Sequence, residues 1–302
     1  LFRDIRTPTL FRIHSIALTV ALLVAGCAVV HPNLPSITDN ATGARYEGRI
    51  VWHDLLTTTP EASRQFYGEL FGWEFENPGI DLGFGNDDSY MLIRHNGRLI
   101  GGIVDANTLN RDVNISQWVT VMSVTDIDAA IGTVLAAGGE VLTEPTDVGN
   151  RGILSVITGP DGALISLVQT RDGDPAEREP SLNEWLWDEL WTDDIEGSAA
   201  FFNQVAGLGL EERASAGSDN VYRTLSAGDK PRAGLLQMPF EGEHPVWVNY
   251  VRVNDPAAIT RRVEALGGRV LIDVQERDVG GRAALIAGPS GAGVALQTWP
   301  LD

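Results

Sequence analysis

An internal repeat is the feature that most constrains the fold of this chain. Residues 52–76 reappear 135 positions later, and residues 118–167 reappear 129 positions later. Self-similarity on this scale indicates two copies of one structural unit in tandem. We predict a first domain over residues 49–170, a linker over 171–182 and a second domain over 183–302. The clearest matches are Trp52-His53-Asp54-Leu55 with Trp187-Asp188-Glu189-Leu190, and Gly159-Pro160-Asp161-Gly162 with Gly288-Pro289-Ser290-Gly291.

Each predicted domain is itself built from two similar halves. In the first domain, an alternating segment from Ile50 to Thr57 precedes a segment over 60–71 with apolar residues at helical spacing, and three short apolar segments follow. The same order starts again at Trp118, with Asp126 placed to cap the second helix. The pattern predicts an α+β fold made of four βαβββ units.

The first 26 residues are predicted to be a bacterial lipoprotein signal peptide. Three arginines precede an apolar run of about a dozen residues, which is too short to span a bilayer comfortably. The run ends in Val24-Ala25-Gly26-Cys27, which resembles a lipobox, so Cys27 is the predicted lipidation site. The alternatives are an ordinary secretory signal with a chance cysteine and a short membrane anchor. Residues 27–48 are predicted to be a flexible tether.

This signal implies a place in the bacterial cell envelope. A lipid anchor at Cys27 would hold the protein to a membrane, with the domains on its periplasmic side or at the outer membrane. Ala28 follows the cysteine, and in Gram-negative lipoproteins an aspartate there would favour the inner membrane. The outer membrane is therefore the preferred location.

Charge and cysteine content exclude several classes of function. A formal net charge of −19 repels nucleic acid and anionic lipid, so neither is expected as an electrostatic partner. A single cysteine allows neither an internal disulfide nor a cysteine-rich zinc site. A hydrophobic share of 43% is enough for an ordinary folded core.

The four units resemble the vicinal oxygen chelate superfamily, which includes glyoxalase I, bleomycin-resistance proteins and extradiol dioxygenases. The resemblance is carried by Phe66-Tyr67 in the first predicted helix and by Gly159-Pro160-Asp161-Gly162 before the last strand of the domain. It implies two tandem glyoxalase-like domains, each with a curved mixed sheet around a cavity. Because such a tandem reproduces what single-domain relatives do as dimers, we expect a monomer with pseudo-dimeric domains.

In metal-using members of that superfamily, the first strand of a unit gives a histidine or glutamine and the last strand gives a glutamate. The resemblance places His53 at the first such position. The remaining positions hold Val119, Asp188 and Val248 on the first strands, and Gly101 or Gly102, Ser166, Gly234 and Ala295 on the last. Too few of these side chains can ligate an ion, so we expect no cofactor. A divalent metal ion at an atypical site around His53 or Asp188 is the alternative.

The same register predicts the residues that would bind a ligand. His53 and Asp188 are expected to be the polar floors of two cavities, as hydrogen-bonding groups or as catalytic candidates. The alternative for His53 is a half-buried structural histidine that is hydrogen-bonded to backbone or water. Asp54 and Glu189 would then point towards the helices as structural acids. Further cavity candidates are Ser166, Trp185, Trp191, Tyr90, Met91 and Tyr222, whereas Trp52, Trp118, Trp187 and Trp247 are expected to pack between helices and sheet.

Three functions are consistent with these observations. The first is a membrane-tethered, metal-independent protein that binds a small molecule. The second is an enzyme, a glyoxalase-like lyase or a dioxygenase, with an atypical metal site around His53 or Asp188. The third is an envelope scaffold protein with vestigial cavities.

Overall fold

The computed structural model of the protein describes residues 32–82, 88–109, 114–214 and 221–300. The predicted signal peptide over 1–26 and the predicted lipidation site Cys27 lie outside the described residues. Within the described ranges, none of the helices combines the length and the apolarity that a membrane span requires.

The first domain is one mixed sheet of eight strands with two helices. Its strand order is β2-β3-β4-β1-β5-β8-β7-β6, and β1 and β5 run antiparallel at the centre. Strand β4 pairs in parallel with β1, and β8 pairs in parallel with β5. The elements are β1 Ile50–Thr57, α1 Pro60–Phe71, β2 Glu74–Glu76, β3 Tyr90–His95, β4 Arg98–Asp105, β5 Gln117–Ser123, α2 Ile127–Ala136, β6 Glu140–Asp147, β7 Gly152–Thr158 and β8 Leu164–Thr170.

The second domain repeats this arrangement, with strand order β10-β11-β12-β9-β13-β16-β15-β14. Its elements are β9 Trp185–Thr192, α3 Ile195–Ala206, β10 Gly209–Ala214, β11 Val221–Ala227, β12 Lys230–Gln237, β13 Val246–Arg252, α4 Pro256–Val263, β14 Arg269–Glu276, β15 Arg282–Ala287 and β16 Gly293–Gln297. The α+β fold of four βαβββ units in two tandem domains is therefore confirmed, and neither sheet is closed.

Helix ends follow the local sequence signals. The side chain of Asp126 accepts a hydrogen bond from the backbone N–H of Ala129, which confirms the predicted cap of α2. Asp194 caps α3 in the same way through Gly197. Helix α1 starts at Pro60, and Gly72 caps its C-terminal end with a φ of 69°, a left-handed conformation that glycine adopts at little cost.

Each sheet has two unlike faces. Along β1, Leu55 lies in the core with α1, and Oγ1 of Thr57 lies 2.9 Å from Oγ of Ser63 on that helix. Because side chains alternate along a strand, Trp52 and Asp54 lie on the opposite side of the sheet. We call the side of Leu55 and its equivalents in the second domain the helix face, and the side of Trp52 and its equivalents the outer face.

The helix faces of the two domains pack against each other. Helix α1 contacts α4, and α2 contacts α3. Two hydrophobic clusters accordingly mix residues of both domains, for example Phe66 with Val263 and Val134 with Phe202. Each outer face has a separate cluster of its own. Burial of the apolar helix faces is thus the main force that holds the tandem together.

The predicted flexible tether is wrong for the residues that the structure describes. Leu34 and Ile37 are buried in the outer-face cluster of the first domain. The backbone N–H of Leu34 donates to Val148, and the N–H of Arg151 donates back to Leu34. Apolar side chains at two positions of an otherwise polar segment fix it to the domain surface. Residues 27–31 lie outside the described residues.

The linker is also partly fixed. The side chain of Asp174 is fully buried, and it accepts hydrogen bonds from Ser123, Thr170 and the backbone N–H of Tyr46. The longest exposed run of the linker is residues 176–179. One buried carboxylate therefore attaches the start of the linker to the first domain.

Candidate functional site

The outer face of the first domain carries a carboxylate, a phenol and a guanidinium in contact. The hydroxyl of Tyr90 donates to Oδ1 of Asp54 over 2.7 Å, and the indole of Trp52 donates to the same oxygen over 2.9 Å. Nη1 of Arg151 donates to the Tyr90 hydroxyl over 2.9 Å and lies 3.6 Å from Oδ2 of Asp54. The guanidinium of Arg151 is also 4.6 Å from the ring of Trp52, within cation–π range. We call Asp54, Tyr90 and Arg151 the first cluster.

The outer face of the second domain carries an equivalent set. Oε1 of Glu189 accepts from Tyr222 over 2.7 Å and from Nη2 of Arg277 over 2.8 Å. Its Oε2 accepts from the Tyr250 hydroxyl and, over 3.2 Å, from the Trp191 indole. We call Glu189, Tyr222, Tyr250 and Arg277 the second cluster. The carboxylate of this cluster is fully buried and hydrogen-bonded at both oxygens.

The electrostatics of the second cluster keep Glu189 ionised. Burial acts to raise the pKa of its carboxyl, but the charge of Arg277 and the hydrogen bonds from Tyr250 and Tyr222 outweigh burial and hold the pKa below its usual range. Burial raises the pKa of both phenols, and the Glu189 charge raises them further. The tyrosines are therefore neutral donors to a fixed anion.

A glycine beside each cluster makes room for a tyrosine. Gly102 pairs with Asp54, and a Cβ there would overlap the Tyr90 hydroxyl and the Asp54 carboxylate. Gly234 pairs with Glu189, and a Cβ there would overlap the hydroxyl of Tyr222. These glycines occupy the positions where the resemblance would place a metal-binding glutamate. In this protein the phenol takes that space instead.

The predicted role of His53 and Asp188 as floors of two separate cavities is wrong. Both side chains lie on the helix faces, buried, and Nε2 of His53 donates to Oδ1 of Asp188 over 2.7 Å. The expected register is off by one residue, because Leu55 and Thr57, on the same side as His53, face α1. The same shift places the acids Asp54 and Glu189 on the outer faces rather than towards the helices.

The His53–Asp188 pair belongs to a buried polar group between the domains. Nδ2 of Asn249 donates to Oδ1 of Asp188 over 2.7 Å and to Oγ1 of Thr120 over 2.6 Å. The ring of Trp185 lies 4.3 Å from that of His53. Among the described residues, Nδ1 of His53 has no hydrogen-bond partner. Thr120 and Asn249 are equivalent positions of the repeat, as His53 and Asp188 are, so the group sits where the two domains are symmetric.

The other predicted site residues lie partly on the outer faces and partly in the core between the helix faces. Tyr90 and Tyr222 lie in the two clusters, Trp191 bonds to Glu189, and Ser166 lies on the outer face of the first domain as the partner of Val121. Met91 instead packs at the edge of a core shared by both helix faces, as Trp185 does. Of the four repeated tryptophans, Trp118 and Trp247 pack on the helix side as expected, whereas Trp52 and Trp187 lie on the outer faces.

Sequence reasoning missed Arg151, Arg277 and Tyr250. The two arginines come from the connections β6–β7 and β14–β15, which are equivalent hairpins. A usable signal was present, because an acid recurs at Asp54 and Glu189 and a tyrosine follows each acid on the third strand of its unit. The arginines themselves are not at matching repeat positions, so the repeat alone could not identify them.

One cavity, of about 310 Å³, lies between the domains. The carboxylate of Asp161 beside it accepts hydrogen bonds from Thr192 and Ser198 of the second domain, each over 2.9 Å. The recurring Gly-Pro-Asp-Gly turn of the first domain thus serves domain contact. The residues that line this cavity are Pro160, Asp161, Asp193, Asp194, Gly197, Ser198 and Pro245.

Comparison with known proteins agrees with the geometry. Residues 49–167 match the sequence model of the Glyoxalase/Bleomycin resistance protein/Dioxygenase superfamily. The glyoxylase-named protein CFP32 of Mycobacterium tuberculosis (strain CDC 1551 / Oshkosh) is 31% identical over 246 residues, which are 82% of this chain and 93% of that protein. This chain belongs to the glyoxalase/bleomycin resistance/dioxygenase superfamily. The vicinal oxygen chelate fold expected from the sequence is confirmed.

Further relatives within the superfamily have diverse names. The anthracycline biosynthesis protein DauV of Streptomyces sp. (strain C5) is 29% identical over 265 residues, with 82% of this chain and 92% of that protein covered. The Mn(II)-bound glyoxalase of Novosphingobium aromaticivorans has a TM-score of 0.55 at 18% identity, covering 84% of this chain and 82% of its own. A catechol 2,3-dioxygenase has a TM-score of 0.54 at 12% identity, covering 84% and 88%. At these identities the two structures show the fold alone.

The residues on the outer faces do not fit a divalent metal ion. On the central strands the outer-face positions next to Asp54 and Glu189 are Trp52, paired with Val121, and Trp187, paired with Tyr250. On the closing strands they are Gly102, Ser166, Gly234 and Ala295. The central acid of each face, Asp54 in the first domain and Glu189 in the second, already has a guanidinium against it. Within the described part of the chain, no group of three or more histidine, cysteine, aspartate or glutamate side chains could hold an ion.

Proposed function

We propose that this member of the superfamily is a metal-independent binding protein for a small organic molecule, and that the outer face of the second domain binds it. The observation that carries the proposal is the second cluster. Glu189 is engaged by two tyrosines, Trp191 and Arg277, so its carboxylate is a fixed part of the protein rather than a ligand for an ion.

The surroundings of the second cluster suit a planar, largely apolar molecule. Half-buried apolar and aromatic side chains lie around the cluster on the same face: Leu186, Trp187, Leu236, Phe240 and Val246. Aromatic side chains offer stacking surface for such a molecule. Two relatives are named for anthracycline biosynthesis, and anthracyclines are planar aromatic molecules with ring oxygens. This similarity supports the same class of ligand.

We further propose that the protein acts in the cell envelope as a monomer, attached to a membrane through a lipid at Cys27. The support is the apolar run that ends in Val24-Ala25-Gly26-Cys27. Packing of the two helix faces against each other supports a monomer, because each domain already covers the other's apolar surface.

Anthraquinone-2-sulfonate, a planar aromatic ketone with an anionic group, is a suitable probe. We expect the purified full chain to bind it at the second outer face, with quenching of tryptophan fluorescence. Trp187→Leu should weaken binding at least tenfold, because its indole lies beside the cluster and donates to Tyr222 over 2.7 Å. Trp299→Leu is the matched control, since Trp299 is exposed and belongs to neither outer-face cluster.

Other outcomes would favour the other functions. One equivalent of a divalent metal with turnover of a dicarbonyl or catechol substrate would favour a lyase or dioxygenase. Native mass spectrometry that finds neither an ion nor a small molecule, together with no probe binding, would favour an envelope scaffold protein.

A further inference from the structure

The outer face of the first domain is covered by the chain's own N-terminal segment. We define residues 33–39 as the strap. Leu34 and Ile37 of the strap are buried beside Trp52, Val121 and other residues of the outer face. The backbone carbonyl of Pro35 accepts a hydrogen bond from Nε of Arg151 over 3.3 Å. The strap thus presents two apolar side chains and one carbonyl oxygen to the first cluster.

The corresponding face of the second domain fills the same space with its own side chains. Val121 is replaced at the equivalent position by Tyr250, and Leu56 by Trp191. Both larger side chains are buried in the hydrophobic cluster on the outer face of the second domain. That hydrophobic cluster contains side chains of the second domain alone. The first domain therefore has a deeper outer face, and the strap occupies the difference in volume.

Arg151 has a hydrogen-bonding capacity that the covered state does not use. Its side chain is fully buried, with Nη1 on the Tyr90 hydroxyl and Nε on the strap. Among the described residues, Nη2 has no hydrogen-bond partner. A buried guanidinium with an unsatisfied N–H favours any ligand that brings a second oxygen.

The two ends of the strap are held by contacts that can open. At one end Asn33 lies so close to Gly149, whose φ is 76°, that a Cβ on this glycine would overlap the Asn33 side-chain oxygen and Cα. At the other end Asp39 pairs with Arg94 over 2.8 Å, and the Asp39 side chain is 53% exposed. Ion pairs with such exposure are weak. No helix or strand includes residues 33–39.

We infer that the first outer face is a second ligand site, and that the strap occupies it as an internal ligand. The molecules that would displace the strap have a planar apolar body, which would lie against Trp52 and Tyr90. They also carry a carbonyl, carboxylate or sulfonate group that accepts hydrogen bonds from Nε of Arg151, which the strap now occupies, and from its Nη2. This inference does not depend on ligand binding at the second domain, because it rests on different residues.

The test measures binding of anthraquinone-2-sulfonate to the full chain and to an opened variant, Leu34→Ser with Ile37→Ser. We expect the opened variant to bind one equivalent more than the unmodified protein at the same probe concentration, with at least tenfold higher affinity for that equivalent. Leu135→Ser with Leu182→Ser, at two exposed leucines, is the matched control and should add no equivalent. Adding Arg151→Gln to the opened variant should remove the extra equivalent.

A second measurement avoids any variant of the apolar residues. Asp39→Ala opens one end of the strap. We expect faster hydrogen exchange at the amides of Leu34 and Arg151, because these amides form the hydrogen bonds between the strap and the β6–β7 connection. Saturating probe should accelerate the same amides further. Glu61→Ala is the matched control, since Glu61 also forms an exposed pair with an arginine. The inference is overturned if the opened variant unfolds cooperatively yet binds no extra equivalent, or if Asp39→Ala and the probe leave exchange at Leu34 and Arg151 unchanged.

Discussion

Nε2 of His53 lies 2.7 Å from Oδ1 of Asp188, and the two residues occupy equivalent positions of the two domains. From the repeat, each residue is predicted to line a separate cavity in its own domain. The structure brings them together instead, since the helix faces that carry them pack against each other. One buried hydrogen bond therefore joins the two halves of the tandem at their centre.

This pair predicts a measurable coupling between the domains. His53→Ala and Asp188→Ala should each lower the free energy of unfolding by about 1–3 kcal/mol, because each leaves a buried polar partner unsatisfied. The double variant should lose less than the sum of the two, as contacting residues are coupled. Urea denaturation of the four proteins gives the coupling energy. The exposed Asp229→Asn serves as control, and strict additivity would contradict the structural role of the pair.

The fold was accessible from the sequence because its evidence is distributed over many positions. The recurrence of Trp-x-x-Leu, Phe66 with Phe201, and two glycine turns specifies the tandem even if any one match is discounted. Strand alternation and helix caps such as Asp126 follow from local chemistry. Such signals tolerate an error of one residue.

The candidate site was not accessible to the same degree, because a site does not tolerate that error. An offset of one residue in β1 exchanges His53 for Asp54 and moves the chemistry to the other side of the sheet. Arg151 and Arg277 meet the acids through contacts distant in sequence, from hairpins that no local pattern connects to β1 or β9. The strap is a segment with loop composition, and only tertiary contacts show that Leu34 and Ile37 are buried.

Glu189 should make stability depend on pH. Its folded pKa is lowered, so the stabilisation it provides is fully present above the pKa of an unfolded glutamate, about 4.3, and is lost as pH falls through the lower folded value. Glu189→Gln should cost about 3–5 kcal/mol at pH 7, because the variant breaks the buried pair between Glu189 and Arg277. The difference from the unmodified protein should shrink below pH 4. Unfolding curves at several pH values test this, with the exposed Glu241→Gln as control.

Limited trypsin digestion should cut first after Arg178. Residues 176–179 are exposed, whereas Gly173 and Asp174 are buried and the strap is packed on the first domain. Both fragments should remain associated, since the helix faces of the domains share two hydrophobic clusters. First cleavage after Arg45 or Arg49 would show that the segment before the first domain is as flexible as its composition indicates.

The sequence also predicts lipidation at Cys27. Cells that express the full chain should incorporate labelled palmitate into it, and the protein should partition into detergent extracts. Cys27→Ala should abolish the label, because the chain has no other cysteine. An unlabelled protein in the soluble fraction would contradict the lipobox interpretation and favour an ordinary secretory signal.

The purified protein should hold no stoichiometric divalent metal. The central acids of the outer faces, Asp54 and Glu189, lie against guanidinium groups, so an ion bound there would have to displace a charge that the protein itself supplies. His53 is hydrogen-bonded to Asp188 on the helix face, on the opposite side of the sheet from Asp54 and Glu189. Elemental analysis should therefore give the same low metal content for the unmodified protein and for His53→Ala. About one zinc, manganese, nickel or iron per domain, lost in Glu189→Gln or in His53→Ala, would instead favour the metalloenzyme and identify which face holds the ion.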